Sequence, residues 1–389
     1  MKSSKNKINL LFKHRSMEMG GVEKVLLNLL ENLDKNKFEI SLSLNLNQGE
    51  LRNFIPLDIK TYRLTKGKED FPANIILNKF CLLFRSLKLK VFKIFPIIPN
   101  KFIINNIADV EIALGFTMFD DVLNSSNKKS KKIGWFHTEI SYLKDKKLAF
   151  KLAKQIEKFD YIFFGSKQTY QDFINEYPNI NLPPHQVIRN PIFKQEIIEK
   201  SNEFIPDIIS KDLVLVSVGR LDSRKGHNVL IDVHLGLLKK GIKNKIYIIG
   251  DGIEREKLLA RVNKHKINET FILLGSLINP YPYIKNSDIF VLPSESEGWP
   301  LILAETLILK KHIIATNVGG VSEIINHKEN GYLVNYNKDD IQKGVEELIS
   351  NEVLFQDIEN KLEKNIDQFN NAEIYNTIQD VILNLLKKT

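Results

Sequence analysis

A chain of 389 residues is too long for one ordinary hydrophobic core and suits two domains of roughly 150 to 200 residues. A hydrophobic share of 43% beside 26% charge excludes a disordered chain, a lone cysteine (Cys81) excludes an internal disulfide and favours a reducing cytoplasm, and no apolar run nears the roughly 18 residues of a spanning helix. The net charge of +9 is uneven: residues 1–190 carry 31 Lys+Arg against 19 Asp+Glu (+12), leaving 25 against 28 (−3) for the rest, and a basic half without an RNA- or DNA-binding motif points to anionic lipid or a phosphorylated acceptor, not to nucleic acid.

In chain order, the basic amino terminus leads into residues 8–12, too short for the apolar core of a signal peptide and better read as a strand. After a loop with Met17, Glu18 and Met19, the pair Gly20-Gly21 opens a helix over 22–33, whose Val22, Val25, Leu26, Leu29, Leu30 and Leu33 recur at helical spacing. Strand, glycine pair and helix present backbone amides to a phosphate in parallel sheets, although a plain tight turn needs the same residues. Residues 38–44 and 59–64 read as strands. In residues 75–98, apolar positions such as Phe80, Leu83, Phe84, Leu87 and Val91 are interleaved with Lys79, Arg85, Lys88, Lys90 and Lys93. A core-facing amphipathic helix with snorkelling lysines is the preferred reading because it needs no partner. A helix lying on an anionic membrane surface is the other, and an acceptor carried on a membrane lipid would favour it.

Residues 110–114 and 132–136 are strands, and the second runs into His137, at the carboxyl end where open α/β sheets place ligands. Residues 161–165 and 186–190 complete the first half, as a domain over 1–190. Residues 191–212 show little sustained pattern and read as the linker to a second domain over 213–370. That domain opens with a buried strand over 213–218 and the loop Gly219-Arg220-Leu221-Asp222-Ser223-Arg224-Lys225-Gly226. Arg220 offers a planar fork for phosphate oxygens and Lys225 a mobile point charge, so the two suit a diphosphate; a solvated basic loop is the plainer alternative. Strands then alternate with helices through residue 334, the rhythm of a doubly wound parallel sheet. Gly250-Asp251-Gly252 is no dinucleotide fingerprint, because Arg255 stands where the third glycine belongs.

Residues 293–305, Pro-Ser-Glu-Ser-Glu-Gly-Trp-Pro-Leu-Ile-Leu-Ala-Glu, place a strand exit, a helix start and two carboxylates in thirteen positions. Pro300 suits the first helical position, Gly298 and Trp299 leave amides for an anion, Glu297 sits in the loop, and Glu305 lies about one and a half turns inside. Two unrelated solvated glutamates would give the same spacing. The pattern resembles the donor-site signature of the retaining glycosyltransferases of family 4, which have the GT-B fold. That resemblance implies two Rossmann-like doubly wound domains facing across a cleft, with a carboxyl-terminal helix over about 371–389 crossing back to the first.

The resemblance assigns Arg220 and Lys225 to the donor diphosphate, places Gly20 and Gly21 near it, and makes Gly298, Trp299 and Glu305 nucleotide-binding, Glu305 through the ribose hydroxyls. It gives Glu297 the hydroxyls of the transferred sugar and sets His137 close to that sugar, so these two are the catalytic candidates. Glu297 as a nucleophile would need an opposed carboxylate; the family is held to use front-face attack assisted by the leaving phosphate. The implied enzyme is a hexosyl- or N-acetylhexosaminyl-transferase, cytoplasmic or at the inner face of the cell membrane, taking a UDP-sugar to a glycan or lipid-linked acceptor in surface polysaccharide or glycolipid synthesis. Uridine is chosen because family 4 uses it most often. No metal or other cofactor is expected: the chain has no Asp-x-Asp, Asp120-Asp121 has the wrong spacing, and no His/Cys cluster suits zinc. A GT-B nucleotide-sugar epimerase and a non-catalytic glycan- or partner-binding homologue are the alternatives.

Overall fold

The computed structural model describes residues 7–105, 107–208, 210–365, 369 and 371–387; the first six residues and the last two of the expected returning helix lie outside these. The chain divides into two units, Met1–Arg189 with Ala372–Thr389, and Asn190–Asn371. In the first, seven strands form one parallel sheet: β1 (Ile8–His14), β2 (Phe38–Leu44), β3 (Lys60–Arg63), β4 (Val110–Leu114), β5 (Lys131–Phe136), β6 (Tyr161–Phe164) and β7 (His185–Val187). Their order is β3-β2-β1-β4-β5-β6-β7, so the direction of winding reverses between β1 and β4. The second unit holds β8 (Leu213–Val218), β9 (Asn244–Ile249), β10 (Phe271–Gly275), β11 (Ile289–Leu292), β12 (His312–Thr316) and β13 (Tyr332–Val334). Its order, β10-β9-β8-β11-β12-β13, reverses between β8 and β11. Both sheets are the doubly wound kind, in which ligands bind beyond the carboxyl ends of the strands at the reversal.

The central strands are buried on both faces, which is why β11 reads as a short continuous apolar run, as do β4 and β12 apart from Glu111, His312 and Thr316. β1 extends two residues past its apolar run because Lys13 and His14 find partners inside. Lys13 Nζ lies 2.7 Å from Glu111 Oε2 on the neighbouring β4, and Lys132 on β5 donates to Glu111 Oε1 at 2.8 Å. Burial pushes the Glu111 carboxyl up, but the two lysines outweigh it and hold its pKa below the usual value. The helix Asn371–Lys387 packs in the first unit through Tyr375, Ile378 and Ile382, and its Gln379 accepts from Lys37 Nζ at 3.4 Å.

Three local expectations change. Helix Ile75–Ile94 forms, but none of its residues is buried: Phe92 packs, partly buried, against a core cluster with Leu11, Tyr62 and Leu64, while Phe80, Leu83, Phe84 and Leu87 stay exposed. Residues 191–212 are not merely a linker: they contain helix Lys194–Lys200, whose Ile197 is buried in the second unit. Pro300 is the cap rather than the first helical residue, with ψ of 101°, and the helix it precedes runs Leu301–Ile308.

Candidate functional site

In the second unit, the strands on either side of the reversal leave their carboxyl ends through the loops that carry the charged motifs. After β8 the chain turns through residues 219–226 into helix His227–Lys239, and after β11 it passes through residues 293–300 into helix Leu301–Ile308. Glu295 N–H donates to the Arg224 carbonyl at 2.7 Å and ties the loops together. Gly226 seals the junction: its φ is +67°, and a Cβ there would stand 1.8 Å from the Pro293 carbonyl oxygen. Only glycine accepts both the left-handed turn and that approach.

The junction joins residues 72 positions apart, with Lys225 Nζ donating to Glu297 Oε1 at 2.6 Å. Ser294 Oγ donates to the same oxygen at 2.6 Å, and Thr316 at the end of β12 donates to the Ser294 carbonyl at 2.5 Å. Glu297 is buried, yet its Oε2 has no hydrogen bond among the described residues. Arg220 is exposed, and its guanidinium has no side-chain or backbone acceptor among the described residues. The two cations expected to act as one grip thus differ: Lys225 is held by a carboxylate, and Arg220 stands open. Exposed Arg224 lies 3.8 Å from Asp222.

Under the loop lies buried His227, whose ring, like the Lys225 stem, approaches Gly219. Burial, and then the Lys225 charge, drive its pKa down to about 3, so it is a neutral imidazole near pH 7. At the helix mouth, no acceptor among the described residues takes the amides of Gly298 and Trp299. Trp299 is buried edge-on to Phe369 at 6.5 Å, and its Nε1 has no acceptor among the described residues. Glu305, buried in the following helix, receives the Tyr281 hydroxyl. Burial and that carboxylate push the Tyr281 pKa well above its usual value.

The first unit builds a separate cluster at its own reversal. His14 ends β1, and its Nδ1 donates to the Leu114 carbonyl of β4 at 3.0 Å. Nε2 of the same ring lies 3.2 Å from Glu23 Oε1, in the first turn of the helix Gly21–Asn32 that Gly20 caps. Gly20 is extended, with φ of −171°, so the pair opens the helix without a left-handed turn. His137, one residue past β5, stacks on Trp135 with centroids 5.6 Å apart and an interplanar angle of 13°. Burial, reinforced by His14, lowers its pKa to about 3, and its buried Nε2 has no partner among the described residues. At neutral pH His137 is a hydrogen-bonding group and not a proton donor of the imidazolium kind.

Beyond the ends of β1 to β4 the same unit holds a cavity of about 570 Å³. Its polar lining includes Asn45, Asp120, Asp121 and Gln155, and Leu82, Leu89 and Phe92 of helix Ile75–Ile94 form part of its apolar side. Asp120 is paired with Lys93 and Lys151, at 2.7 and 2.6 Å, while Asp121 accepts from Asn45 at 2.9 Å. Burial outweighs that bond and raises the Asp121 pKa.

Sequence reasoning missed His14, Glu23, His227, Tyr281 and Ser294. Ser294 lies inside the quoted motif, and His14 lies at a strand end just as His137 does; that position was the available signal.

The structure of the second unit agrees with what the chain is similar to. Residues 198–369 match the family model described as Glycosyl transferases group 1. Over 365 residues the chain is 28% identical to the N-acetylgalactosamine-N,N'-diacetylbacillosaminyl-diphospho-undecaprenol 4-alpha-N-acetylgalactosaminyltransferase of Campylobacter jejuni, covering 92% of this chain and 95% of that one. It is 23% identical to the poly(ribitol-phosphate) alpha-N-acetylglucosaminyltransferase of Staphylococcus aureus, over 84% of this chain and 60% of the relative. Among solved structures, Anabaena Alr3699/HepE in complex with UDP superposes with a TM-score of 0.71 at 15% identity, covering 97% of this chain and 100% of that one. The fold class is that of the GT-B glycosyltransferases, and these likenesses support a glycosyltransferase.

Proposed function

We propose that this chain is a retaining glycosyltransferase of the family 4 kind, a hexosyl- or N-acetylhexosaminyl-transferase using a UDP-sugar. Its acceptor is a glycan or lipid-linked glycan of surface polysaccharide or glycolipid assembly, met at the inner face of the cell membrane. The observation that carries the reading is the Lys225–Glu297 pair at the β8/β11 reversal, whose lysine shares its loop with the open Arg220. A nucleoside diphosphate is the leaving group of such a reaction, so the site must meet negative charge that grows as the glycosidic bond breaks. Arg220, Lys225 and the amides of Gly298 and Trp299 are fixed donors of the required sign, and preorganised charge is the largest stabilising effect open to such a site. No metal is needed in this scheme.

The pairing also couples donor binding to the sugar site. A diphosphate that takes Lys225 draws it from Glu297, and the carboxylate is then released to accept the hydroxyls of the transferred sugar. Glu305 serves the ribose, with Tyr281 fixing its carboxylate. Within the first unit, the Gly20-Gly21 helix start offers amides suited to phosphate oxygens, and His137, neutral at pH 7, offers Nε2 to a sugar hydroxyl. The cavity of about 570 Å³, with its amide and carboxylate lining, is where the acceptor's sugars bind. Uridine is favoured because the HepE structure above holds UDP.

The experiment supplies the purified protein with labelled UDP-sugars and a polyprenyl-diphosphate-linked glycan. UDP release and a longer glycan are expected, only when both are present. Conversion of the sugar nucleotide without acceptor would identify an epimerase instead, and no turnover of any pair would leave a binding protein.

A further inference from the structure

The helix Ile75–Ile94 is amphipathic in an unusual sense, because its apolar stripe is on the outside. Successive helical residues are about 100° apart, so Ile76, Phe80, Leu83, Leu87, Val91 and Ile94 share one face, with Phe84 at its edge. These side chains are 43% to 72% exposed. The opposite face is the one turned to the body of the unit, where Leu82, Leu89 and Phe92 reach the cavity and Arg85 donates to Gln48 at 2.8 Å. The chain beyond the helix continues the exposed surface with Phe95, Ile97 and Phe102, at 54%, 58% and 74%. An apolar area of this extent is far more than scattered surface residues explain.

The charge around it selects the occupant. Residues 71–108 contain six cations, Lys79, Arg85, Lys88, Lys90, Lys93 and Lys101, and no Asp or Glu. By the same angular spacing, Lys79 and Lys90 flank the stripe on one side and Lys88 on the other, where their stems run along apolar surface and their heads reach outward. A symmetric contact between two copies of this face would set cation against cation. No helix among the described residues is long and apolar enough to cross a membrane. A stripe of aromatic and aliphatic side chains bordered by lysines is instead the form of a helix that lies in the headgroup region of a bilayer.

We infer that Ile75–Ile94 lies in the plane of an anionic lipid bilayer, its outer stripe inserted and its inner face forming a wall of the cavity proposed for the acceptor. The inference rests on the proposed function only for the purpose of the contact, namely to bring the cavity to a lipid-carried acceptor. The surface itself is argued from exposure and charge.

Flotation with phosphatidylcholine vesicles, with and without phosphatidylglycerol, tests it. The protein floats with the anionic vesicles at low salt and stays behind with the neutral ones. Two triple variants follow, Phe80→Ser with Phe84→Ser and Leu87→Ser, and Lys79→Glu with Lys88→Glu and Lys90→Glu. All six positions lie on the helix that has no buried residue, so unfolding midpoint and UDP binding stay as in the parent. Each cation near an anionic surface is worth roughly a factor of five, so the charge variant partitions at least about a hundredfold less, and the apolar variant loses flotation as well. Absence of flotation for the parent, equal flotation with neutral vesicles, or variants that float like the parent would overturn the inference. So would self-association abolished by the apolar variant in a parent that ignores vesicles. Failure here with UDP binding intact removes the surface and leaves the donor site; vesicle binding without UDP binding does the reverse.

Discussion

Replacing Glu297 by Gln separates the sugar role from the nucleotide role. The amide keeps an oxygen for the Ser294 and Lys225 donors, so the loop geometry holds while the charge is lost. In the native pair Lys225 donates at 2.6 Å to a carboxylate that is 8% exposed, while its own side chain is 25% exposed. A charge-assisted hydrogen bond is worth roughly 1.5 to 3 kcal/mol, and the partial exposure of the lysine reduces that to roughly 1 kcal/mol. That amount opposes UDP binding in the native protein, since the diphosphate must draw Lys225 away. Glu297→Gln therefore binds UDP with unchanged to about fivefold higher affinity. Transfer falls by roughly a hundredfold or more, because the sugar loses a charged partner in the transition state. Calorimetry with UDP and initial rates with donor and acceptor give the two readings, with the unfolding midpoint as control. A UDP affinity reduced tenfold or more, with the midpoint unchanged, would refute the reasoning.

Three further outcomes are expected. Arg220→Ala weakens UDP binding by roughly ten- to a hundredfold, the loss of one charge-assisted contact, at unchanged thermal stability, and Arg220→Lys restores only part of it because the planar fork is gone; calorimetry and a melting curve check both. Gly226→Ala meets a positive φ and a Cβ 1.8 Å from the Pro293 oxygen at once, so it costs at least about 2 kcal/mol by chemical denaturation and loses UDP binding with it. Folded His227 has its pKa lowered from 6.5 to about 3, so between those values the unfolded chain binds the extra proton and acid destabilises the fold. At pH 5 this group accounts for about 2 kcal/mol of lost stability relative to pH 7, and denaturation of His227→Gln at the two pH values shows a correspondingly shallower fall.

What could be read in the chain divides along physical lines. β2 and β11 were legible to the residue, β11 because a strand buried on both faces is apolar throughout and β2 because Glu39, Ser41 and Ser43 alternate with Phe38, Ile40, Leu42 and Leu44. β1 was read two residues short because Lys13 and His14 are buried by partners on β4 and in the helix after Gly20, and no local pattern announces those. The site motifs were legible as spacings, since the glycine of a tight turn and the carboxylates near a helix start must stand at fixed offsets. Their pairing was not: Lys225 and Glu297 are 72 residues apart, and the contact depends on Gly226 approaching Pro293. The helix Ile75–Ile94 shows the complementary limit. Its periodicity states that two faces differ, while burial alone tells which one is turned outward, and here it is the more apolar one.

The central claim is a diphosphate site built on Arg220 and Lys225, and calorimetric titration with UDP, GDP, ADP and CMP, each with and without EDTA, tests it most directly. Tight binding of UDP that EDTA leaves unchanged, and that Arg220→Ala weakens, is the expected result. No binding of any of the four, or binding that EDTA abolishes, would contradict it.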